Sequence, residues 1–394
     1  MQYRTDKKSD TKLSALGIGC MRLPRRGVSI DMKASERLIV HAIEQGVNFF
    51  DTAYIYPGSE AALGEILHKN NLREKVYIST KLPHSQCKKY DDFDKLFNIE
   101  KDRLNTDYID YYLIHNIVET GDWARLISLG IEDWISKKKK SGELKRIGFS
   151  FHGNQQDFLT LIDMYDWDFC MIQYNYMDEN YQAGSVGLKK AHSKGMPVII
   201  MEPLLGGKLA TGLPQKAKLL LENTESSRTP AEWAIMWLLN QEEVTVVLSG
   251  MNSIEQLDEN VSTASKWQAG SLSETELDVI KSVKNIIEET YKVKCTGCNY
   301  CVPCPRKVNI PDSLSSLNMS YAMGYITGLK SYVMSTSALR SSDNQLASNC
   351  NGCGVCLKKC PQHINIIEAL GQVKKRLEPF WVSLLLKAAR KILG

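Results

Sequence analysis

The chain has 394 residues, more than a single domain usually contains, so its length predicts a large domain followed by a smaller one. A hydrophobic share of 43% is typical of a globular protein, and a net charge of only +4 argues against a nucleic-acid partner. The sequence shows neither a signal-peptide core nor the run of about 20 apolar residues that a transmembrane helix needs, so we expect a cytoplasmic protein.

Eight short apolar runs recur at the spacing of strands that alternate with helices. In chain order they are LGIGC (16–20), VNFFD (47–51), VYIST (76–80), YIDYYLIH (108–115), RIGFS (146–150), FCMIQYN (169–175), PVIIME (197–202) and VTVVLSG (244–250). Most are continuous, as in parallel strands covered on their outer face, and helix-like segments separate them. Eight such units predict an α/β fold, a (β/α)8 TIM barrel. A doubly wound open sheet is the alternative, although no strand is followed by the GxGxxG of a Rossmann fold.

The sequence after the eighth unit is mostly helical in pattern. Residues 273–293 predict a helix that begins with a capping box of Ser273 and Glu276. We therefore expect a barrel over residues 1–272, and a linker helix with a small second domain over residues 273–394. The last segment, 379–394, is amphipathic; we favour a helix docked on the protein's own core over one on a membrane surface.

Polar side chains stand at or just past the ends of the predicted strands, where TIM barrels carry their catalytic groups. They are Asp51, Tyr56, Lys81 and His115. A phenol has a pKa of about 10, and a lysine ammonium nearby lowers it by about 1 to 3 units. Asp51 would hold Lys81 in place, and His115 would orient a carbonyl oxygen toward Tyr56. Together these groups predict a site that gives a proton to oxygen while hydride reaches carbon.

These residues carry a resemblance to the aldo-keto reductase family. The stretches FFDTAYIYPGSEAALG, ISTKLP and YYLIHN are similar to the segments that hold the family's Asp, Tyr, Lys and His tetrad, and the likeness runs from about residue 12 to 265. The resemblance implies that Tyr56 is the general acid, that Lys81 and Asp51 tune it, and that His115 positions the carbonyl. It also implies NADP or NAD at the mouth of the barrel and a small carbonyl or alcohol substrate.

The resemblance further implies a set of cofactor contacts. They are Ser150 and Gln173 for the carboxamide, Leu205, Gly207 and Lys208 for the pyrophosphate, and Glu259 and Asn260 for the adenine. The sequence departs from the family where Phe151 replaces an asparagine and Met201 replaces an aromatic residue. Gly250 and Gln256 replace basic residues on the 2′-phosphate, and a phosphate without a cationic partner loses its strongest contacts. NADP, NAD and a flavin therefore all stay open.

Eight of the eleven cysteines form two runs that each end in Cys-Pro. The runs are Cys295, Cys298, Cys301 and Cys304, then Cys350, Cys353, Cys356 and Cys360. The second run matches the bacterial ferredoxin spacing C-x2-C-x2-C-x3-C-P. The first run is one residue short before its last cysteine, so a tetrahedral zinc site is its alternative. The other cysteines, Cys20, Cys87 and Cys170, are expected to be packing thiols.

Two-cluster ferredoxins exchange ligands, since the last cysteine of each run binds the other cluster. We therefore expect two 4Fe-4S clusters, one held by Cys295, Cys298, Cys301 and Cys360, the other by Cys350, Cys353, Cys356 and Cys304. The long helical spacer, 305–349, resembles that of an alpha-helical ferredoxin. The whole chain resembles the aldo-keto reductases that carry a C-terminal ferredoxin domain.

The leading functional hypothesis is an oxidoreductase that reduces a carbonyl or oxidises an alcohol, with the clusters relaying electrons to or from an external carrier. The alternative is an iron–sulfur electron carrier or an interaction subunit whose barrel is not catalytic.

Overall fold

The structure is a computed structural model that describes residues 1–153, 155–224, 228–295, 297, 301–336, 338, 344–360 and 362–393. The chain forms two compact units. The first comprises Met1–Gly206 and Thr229–Leu277, and the second comprises Gly207–Arg228 and Asp278–Gly394. These units are defined by packing alone. The domain boundary expected at residue 272 therefore stays a prediction.

The first unit is built on a closed barrel of eight parallel strands, which confirms the predicted TIM fold. The strands are β1 (Leu16–Gly19), β2 (Phe49–Asp51), β3 (Tyr77–Leu82), β4 (Ile109–Ile117), β5 (Leu144–Phe151), β6 (Phe169–Gln173), β7 (Val198–Met201) and β8 (Val244–Ser249). Each strand pairs with the next one in the chain, and β8 pairs with β1 to close the barrel.

The continuous apolar runs are explained by burial on both faces of the barrel wall. In β4, Tyr111 and Leu113 belong to the cluster inside the barrel, whereas Tyr112 and Ile114 belong to the larger cluster under the helices. This alternation follows from the two-residue period of a strand. Cys20, Cys87 and Cys170 are buried in the larger cluster, as expected of packing thiols.

A hairpin before the barrel covers one of its ends. Its antiparallel strands are Tyr3–Asp6 and Thr11–Ser14. The buried carboxylate of Asp6 accepts hydrogen bonds from Tyr111 Oη at 2.9 Å and from Arg146 Nε at 3.1 Å, near the starts of β4 and β5. The covered end is therefore the amino-terminal end, and the carboxyl ends of the strands face the other way.

The described residues contain seventeen α-helices. They are α1 (Met32–Glu44), α2 (Ser59–Lys69), α3 (Asp91–Leu104), α4 (Thr120–Ser128), α5 (Ile131–Ser141), α6 (Gln155–Leu161), α7 (Gly184–Ser193), α8 (Lys208–Thr211), α9 (Gln215–Glu222), α10 (Pro230–Leu239), α11 (Ile254–Lys266), α12 (Glu274–Glu289), α13 (Ile310–Ala322), α14 (Tyr325–Ser335), α15 (Val355–Lys359), α16 (Ile366–Leu377) and α17 (Phe380–Leu393). Ser273 and Glu276 form the predicted capping box of α12, with hydrogen bonds of 2.8 and 3.2 Å. None of the helices in the described ranges combines the length and the apolar character needed to cross a membrane.

The second unit has its own apolar core, to which α13, α14, α16 and α17 contribute. A buried asparagine, Asn318 in α13, fixes the chain just before the first cysteine run. Its Oδ1 accepts from the backbone amides of Lys292 and Val293 at 2.9 and 3.0 Å, and its Nδ2 donates to the carbonyl of Val293 at 2.7 Å. The helical core thus positions the loop that begins at Cys295.

Candidate active site and iron–sulfur site

A buried ion pair joins β2 and β3 at the carboxyl end of the barrel. Lys81 Nζ donates to both oxygens of Asp51, at 2.6 and 2.7 Å, and to the carbonyl of Thr52 at 2.6 Å. Ser79 Oγ donates to Asp51 Oδ1 at 3.0 Å. Lys81 is 1% exposed and Asp51 4%. Burial lowers the pKa of Lys81, but Asp51 outweighs it and leaves the pKa above its usual value, so the ammonium is charged at neutral pH.

Tyr56 and His115 complete the predicted tetrad beside this ion pair. Tyr56 lies in the turn before α2, and the centroid of its ring is 5.2 Å from Lys81 Nζ. The rings of Tyr56 and His115 are 6.1 Å apart and nearly perpendicular, at 88°. The structure therefore brings all four predicted residues together, at the end of the barrel opposite the hairpin.

The environment of Tyr56 keeps its phenol protonated. Lys81 lowers the pKa of Tyr56, but burial and the negative charges of Asp51 and Glu202 outweigh it, so the pKa lies above the usual value of 10.0. Lys81 therefore acts on this pKa in the predicted direction, and the net rise comes from the buried setting and the negative charges, which disfavour a phenolate.

His115 is uncharged throughout the neutral range. Burial, with the positive charge of Lys81 and the neighbouring His152 and His84, lowers the pKa of His115 to about 3. His84 and His152 were not among the predicted site residues. The signal was present, because His84 follows β3 by two residues and His152 follows β5 directly. A neutral imidazole keeps one N–H to donate and one nitrogen to accept.

Thiols from both cysteine runs line one cavity in the second unit. They are Cys301 and Cys304 from the first run, and Cys350, Cys353 and Cys356 from the second. Five thiols exceed the four ligands of a structural zinc ion. Within the described residues, no three His, Cys, Asp or Glu side chains are arranged so that they could hold a metal ion. Cys304 lies with three cysteines of the other run, but Cys301, which was expected on the other cluster, lines the same cavity, so the division of ligands between two clusters stays a prediction.

The other predicted ligands are Cys295, Cys298 and Cys360. Cys295 and Cys360 are partly buried against the apolar core of the second unit, and Cys298 lies outside the described residues. Burial, with the neighbouring thiols Cys350, Cys304 and Cys353, raises the pKa of Cys356. Thiolates this close repel one another, so a positively charged group among them fits the donor set.

Comparison with known proteins supports both parts of the chain. Residues 15–284 match the profile of the Aldo/keto reductase family, and residues 294–365 match that of a 4Fe-4S dicluster domain. The chain belongs to the aldo-keto reductase family. It is therefore an oxidoreductase, and the resemblance to the subgroup with a ferredoxin-type domain is confirmed.

Individual relatives of this aldo-keto reductase share modest sequence identity. It is 27% identical over 319 residues to L-galactose dehydrogenase of Arabidopsis thaliana, which covers 73% of this chain and 96% of that enzyme. The holo form of aldo-keto reductase AKR11C1 from Bacillus halodurans superposes with a TM-score of 0.60 at 24% identity, covering 72% of this chain and 96% of that one. An aldo/keto reductase from Klebsiella pneumoniae, solved in complex with NADP and acetate, gives a TM-score of 0.59 at 20% identity, with the same shares covered. The two structures support the fold.

The predicted carboxamide ligands of this aldo-keto reductase are already engaged within the protein. Ser150 Oγ accepts from the backbone amide of Asn116 at 2.8 Å, which leaves its hydroxyl proton available to donate. Gln173 donates from Nε2 to Asp178 Oδ2 and accepts at Oε1 from Gln182 Nε2, both at 2.9 Å. Gln173 is therefore held in one orientation by two neighbours.

Phe151 and Met201, which differ from the residues usual in the family's nicotinamide pocket, lie in different environments. Phe151 is fully buried, with its ring 5.2 Å from that of Phe158 in the cluster under the helices. Because it alternates with Ser150 along β5, it points away from the barrel interior. Met201 is partly buried against the cluster inside the barrel. Phe151 is thus a core residue, and Met201 is the one that borders the barrel interior.

Arg22 is a cationic residue at the barrel mouth that the sequence reading missed. Its side chain crosses Gly250, where an added Cβ would lie 2.7 Å from Arg22 Cδ. It then reaches the loop after β7, where a Cβ at Gly206 would lie 3.4 Å from Arg22 Nη2. Gly250 thus makes room for this arginine, which comes from the loop after β1. Because Arg22 lies only three residues past β1, the strand-end rule would have found it.

The residues predicted to bind the pyrophosphate lie after β7, in the loop and at the start of α8. Leu205, in the first unit, has φ = 48°, a left-handed backbone that is unusual for leucine. Gly207, with φ = 92°, precedes α8 in the second unit. Lys208 Nζ there donates to Met319 Sδ of α13 at 2.8 Å. The second unit thus holds the lysine that was predicted to bind phosphate.

The predicted adenine contacts lie in α11. Glu259 accepts a hydrogen bond from Thr229 Oγ1. Asn260 is buried and donates from Nδ2 to Ser249 Oγ, at the end of β8, at 3.1 Å. Both side chains therefore have partners in the first unit, and their roles toward a nucleotide stay predictions.

Proposed function

We propose that this aldo-keto reductase reduces a small carbonyl substrate with a nicotinamide cofactor, and that Tyr56 supplies the proton. The observation that carries the proposal is the buried Lys81–Asp51 ion pair beside a protonated Tyr56 and a neutral His115. A phenol that holds its proton at neutral pH can donate it, whereas oxidation of an alcohol would need that proton removed first. The protonated phenol therefore suits the proton-donating step of carbonyl reduction.

Each member of the tetrad has a separate task in this proposal. Tyr56 Oη donates its proton to the carbonyl oxygen. Lys81, held by Asp51, keeps a positive charge next to the phenolate that forms, and His115 directs a hydrogen bond at the same oxygen. A bound nicotinamide would supply the hydride to the carbonyl carbon. The carbon gains hydride and the oxygen gains a proton, so the product is an alcohol.

Several residues at the barrel mouth fit a nicotinamide dinucleotide. The guanidinium of Arg22 beside Gly206 suits a phosphate group, because arginine binds phosphate through two parallel hydrogen bonds. Ser150 keeps a proton to donate to a carboxamide. The Klebsiella relative, solved in complex with NADP, supports the same class of cofactor. NADPH and NADH both remain candidates, and a flavin would show in the absorbance spectrum.

Arg22 offers a binding test that does not depend on turnover. Arg22→Gln should weaken NADPH binding about tenfold or more, because a charge-assisted contact to phosphate is lost. Arg26→Gln is the matched control, since Arg26 is exposed and pairs with Asp31 at 3.2 Å. Fluorescence titration of the full-length protein measures both. Equal affinities for the two variants would remove Arg22 from the cofactor site.

We also propose that the cysteines hold two 4Fe-4S clusters, one of them at the cavity lined by Cys304, Cys350, Cys353 and Cys356. Such clusters supply one-electron transfer when bound, which an external carrier would use. A reducing compartment such as the cytoplasm would keep these thiols available for iron. Anaerobic purification with iron and sulfide counts tests this, with about eight irons expected from two clusters. Two metal ions per chain would instead favour zinc.

The enzymatic proposal is tested with a panel of aldehydes and ketones, each supplied with NADPH or NADH under anaerobic conditions. We expect nicotinamide oxidation with at least one carbonyl class. The non-catalytic alternative, an electron carrier or interaction subunit, predicts no substrate-dependent oxidation.

A further inference from the structure

The last helix, α17, presents one apolar face to the protein and another to solvent. Val382 and Leu386 are buried in the core of the second unit, which agrees with the expected docking of this segment. Two adjacent pairs of large apolar side chains, one turn apart, are exposed on the same helix. Together we call them the outer stripe: Phe380 (83% exposed), Trp381 (49%), Leu384 (57%) and Leu385 (61%). The positions i, i+1, i+4 and i+5 form one continuous strip along a helix.

The outer stripe continues onto α14. The rings of Trp381 and Tyr325 are 6.1 Å apart. The residue after Tyr325, Ile326, is 60% exposed. Single exposed apolar residues are ordinary on soluble proteins, but a contiguous patch marks a surface that binds something.

Cationic side chains and aromatic rings border this patch. The guanidinium of Arg376 lies 3.9 Å from the ring centroid of Tyr321 and 5.6 Å from that of Tyr325. Lys292 Nζ lies 5.0 Å from the same Tyr321 ring. Tyrosines and basic groups in contact are typical of the boundary between water and lipid headgroups.

The charged residues in the last turn of α16, just before the outer stripe, are basic. The sequence of α17 contains three basic residues and no acidic one. Lys374 and Lys375 at the end of α16 are exposed. The one carboxylate between the two helices, Glu378, accepts hydrogen bonds from Tyr332 Oη and from the backbone amide of Ser348, so it is turned to the protein.

We propose that the outer stripe binds the surface of a membrane that carries anionic lipids. A helix with tryptophan, phenylalanine and leucine on one face and lysine or arginine around it is the pattern of a helix that lies in the membrane interface. Anionic headgroups complement the positive rim. A second copy of the chain fits poorly, because a symmetric dimer would bring the same positive charges together. This surface is independent of the barrel chemistry.

The test is vesicle co-sedimentation of the full-length, anaerobically purified protein. We expect binding to phosphatidylglycerol-containing vesicles at least about tenfold tighter than to pure phosphatidylcholine, and weaker binding at high salt. Leu384→Ser combined with Leu385→Ser should reduce the affinity at least about tenfold, since two leucines no longer enter the apolar boundary. Lys374→Gln should reduce binding to the anionic vesicles roughly fivefold.

Val28→Ser combined with Val186→Ser is the matched control, because both valines are exposed and lie in the barrel unit. This control should bind vesicles like the unmodified protein. Equal binding to anionic and neutral vesicles, or unchanged binding by the double leucine variant at unchanged iron content, would overturn the proposal. A concentration-dependent dimer that the leucine substitutions abolish, without vesicle binding, would overturn it in favour of self-association.

Discussion

Replacing Lys81 with methionine should destabilise the barrel and stop carbonyl reduction. Methionine keeps most of the length of lysine but has no charge, so the carboxylate of Asp51 would stay buried without its ammonium partner. Removing one member of a buried ion pair costs about 3 to 5 kcal/mol. Ser79 Oγ still donates to Asp51 at 3.0 Å, so we expect the lower end of this range, about 3 kcal/mol. Burial raises the pKa of an unpaired carboxyl, so the loss should shrink as the pH falls toward 4.

A double-mutant cycle tests this reasoning with its own control. Asp51→Asn removes the other charge, and the variant with both substitutions leaves no unpaired buried charge. The double variant should therefore lose less stability than the sum of the two single variants, with a coupling of about 1 to 3 kcal/mol. Urea unfolding of the four proteins at neutral pH measures the free energies. Additive losses, or a loss below about 1 kcal/mol for Lys81→Met, would show that the two charges do not depend on each other.

Three further outcomes follow from individual contacts. The plot of kcat/KM for reduction against pH should show no change due to histidine titration between about pH 5 and 8, because the pKa of His115 is about 3. A titration near pH 6.5 that disappears in His115→Gln would contradict this. Burial raises the pKa of Glu100 well above 4.5, so the folded protein loses stability as the pH rises above that value. Glu100→Gln should therefore raise the melting temperature more at pH 8 than at pH 5. An equal change in melting temperature at the two pH values would contradict this. Cys304→Ser should lower the iron content by up to about four per chain, whereas the buried core variant Cys170→Ser should not; equal iron contents would remove Cys304 from the ligand set.

Most of the barrel was predictable because its signals are local. Strands buried on both faces read as continuous apolar runs, and the rule that catalytic groups follow such strands led directly to Asp51, Lys81 and His115. The same rule included Tyr56, which lies five residues past its strand, and the resemblance agreed with it. These residues converge because parallel neighbours end at the same edge of a barrel.

Effects that depend on packing between distant segments were not predictable in the same way. The sign of the Tyr56 pKa shift depends on burial and on Glu202 after β7, which no local pattern reports. The reach of Arg22 depends on Gly250, 228 residues later in the chain, having no side chain. Glycine at that position suggested a lost phosphate contact, whereas the structure shows room made for another cation.

The cysteine region contains a second repeated pattern besides the cysteine spacing. CPRKVNIPD (304–312) and CPQHINIIE (360–368) share the pattern Cys-Pro-x-x-Val/Ile-Asn-Ile. In both copies the asparagine, Asn309 or Asn365, caps the following helix, α13 or α16. The first run is therefore half of an internal repeat despite its missing residue, which favours two equivalent clusters over a separate zinc site.

The most direct test of the central claim is carbonyl reduction by Tyr56→Phe with cofactor binding measured in parallel. The account predicts that kcat falls by about 10² to 10⁴, because the proton donor is lost, while NADPH affinity changes less than about threefold. Tyr54→Phe is the matched control, since the ring of Tyr54 contacts Arg103 away from the tetrad, and it should keep its activity. Full activity in Tyr56→Phe, or an equal loss in both variants, would contradict the claim that Tyr56 gives the proton.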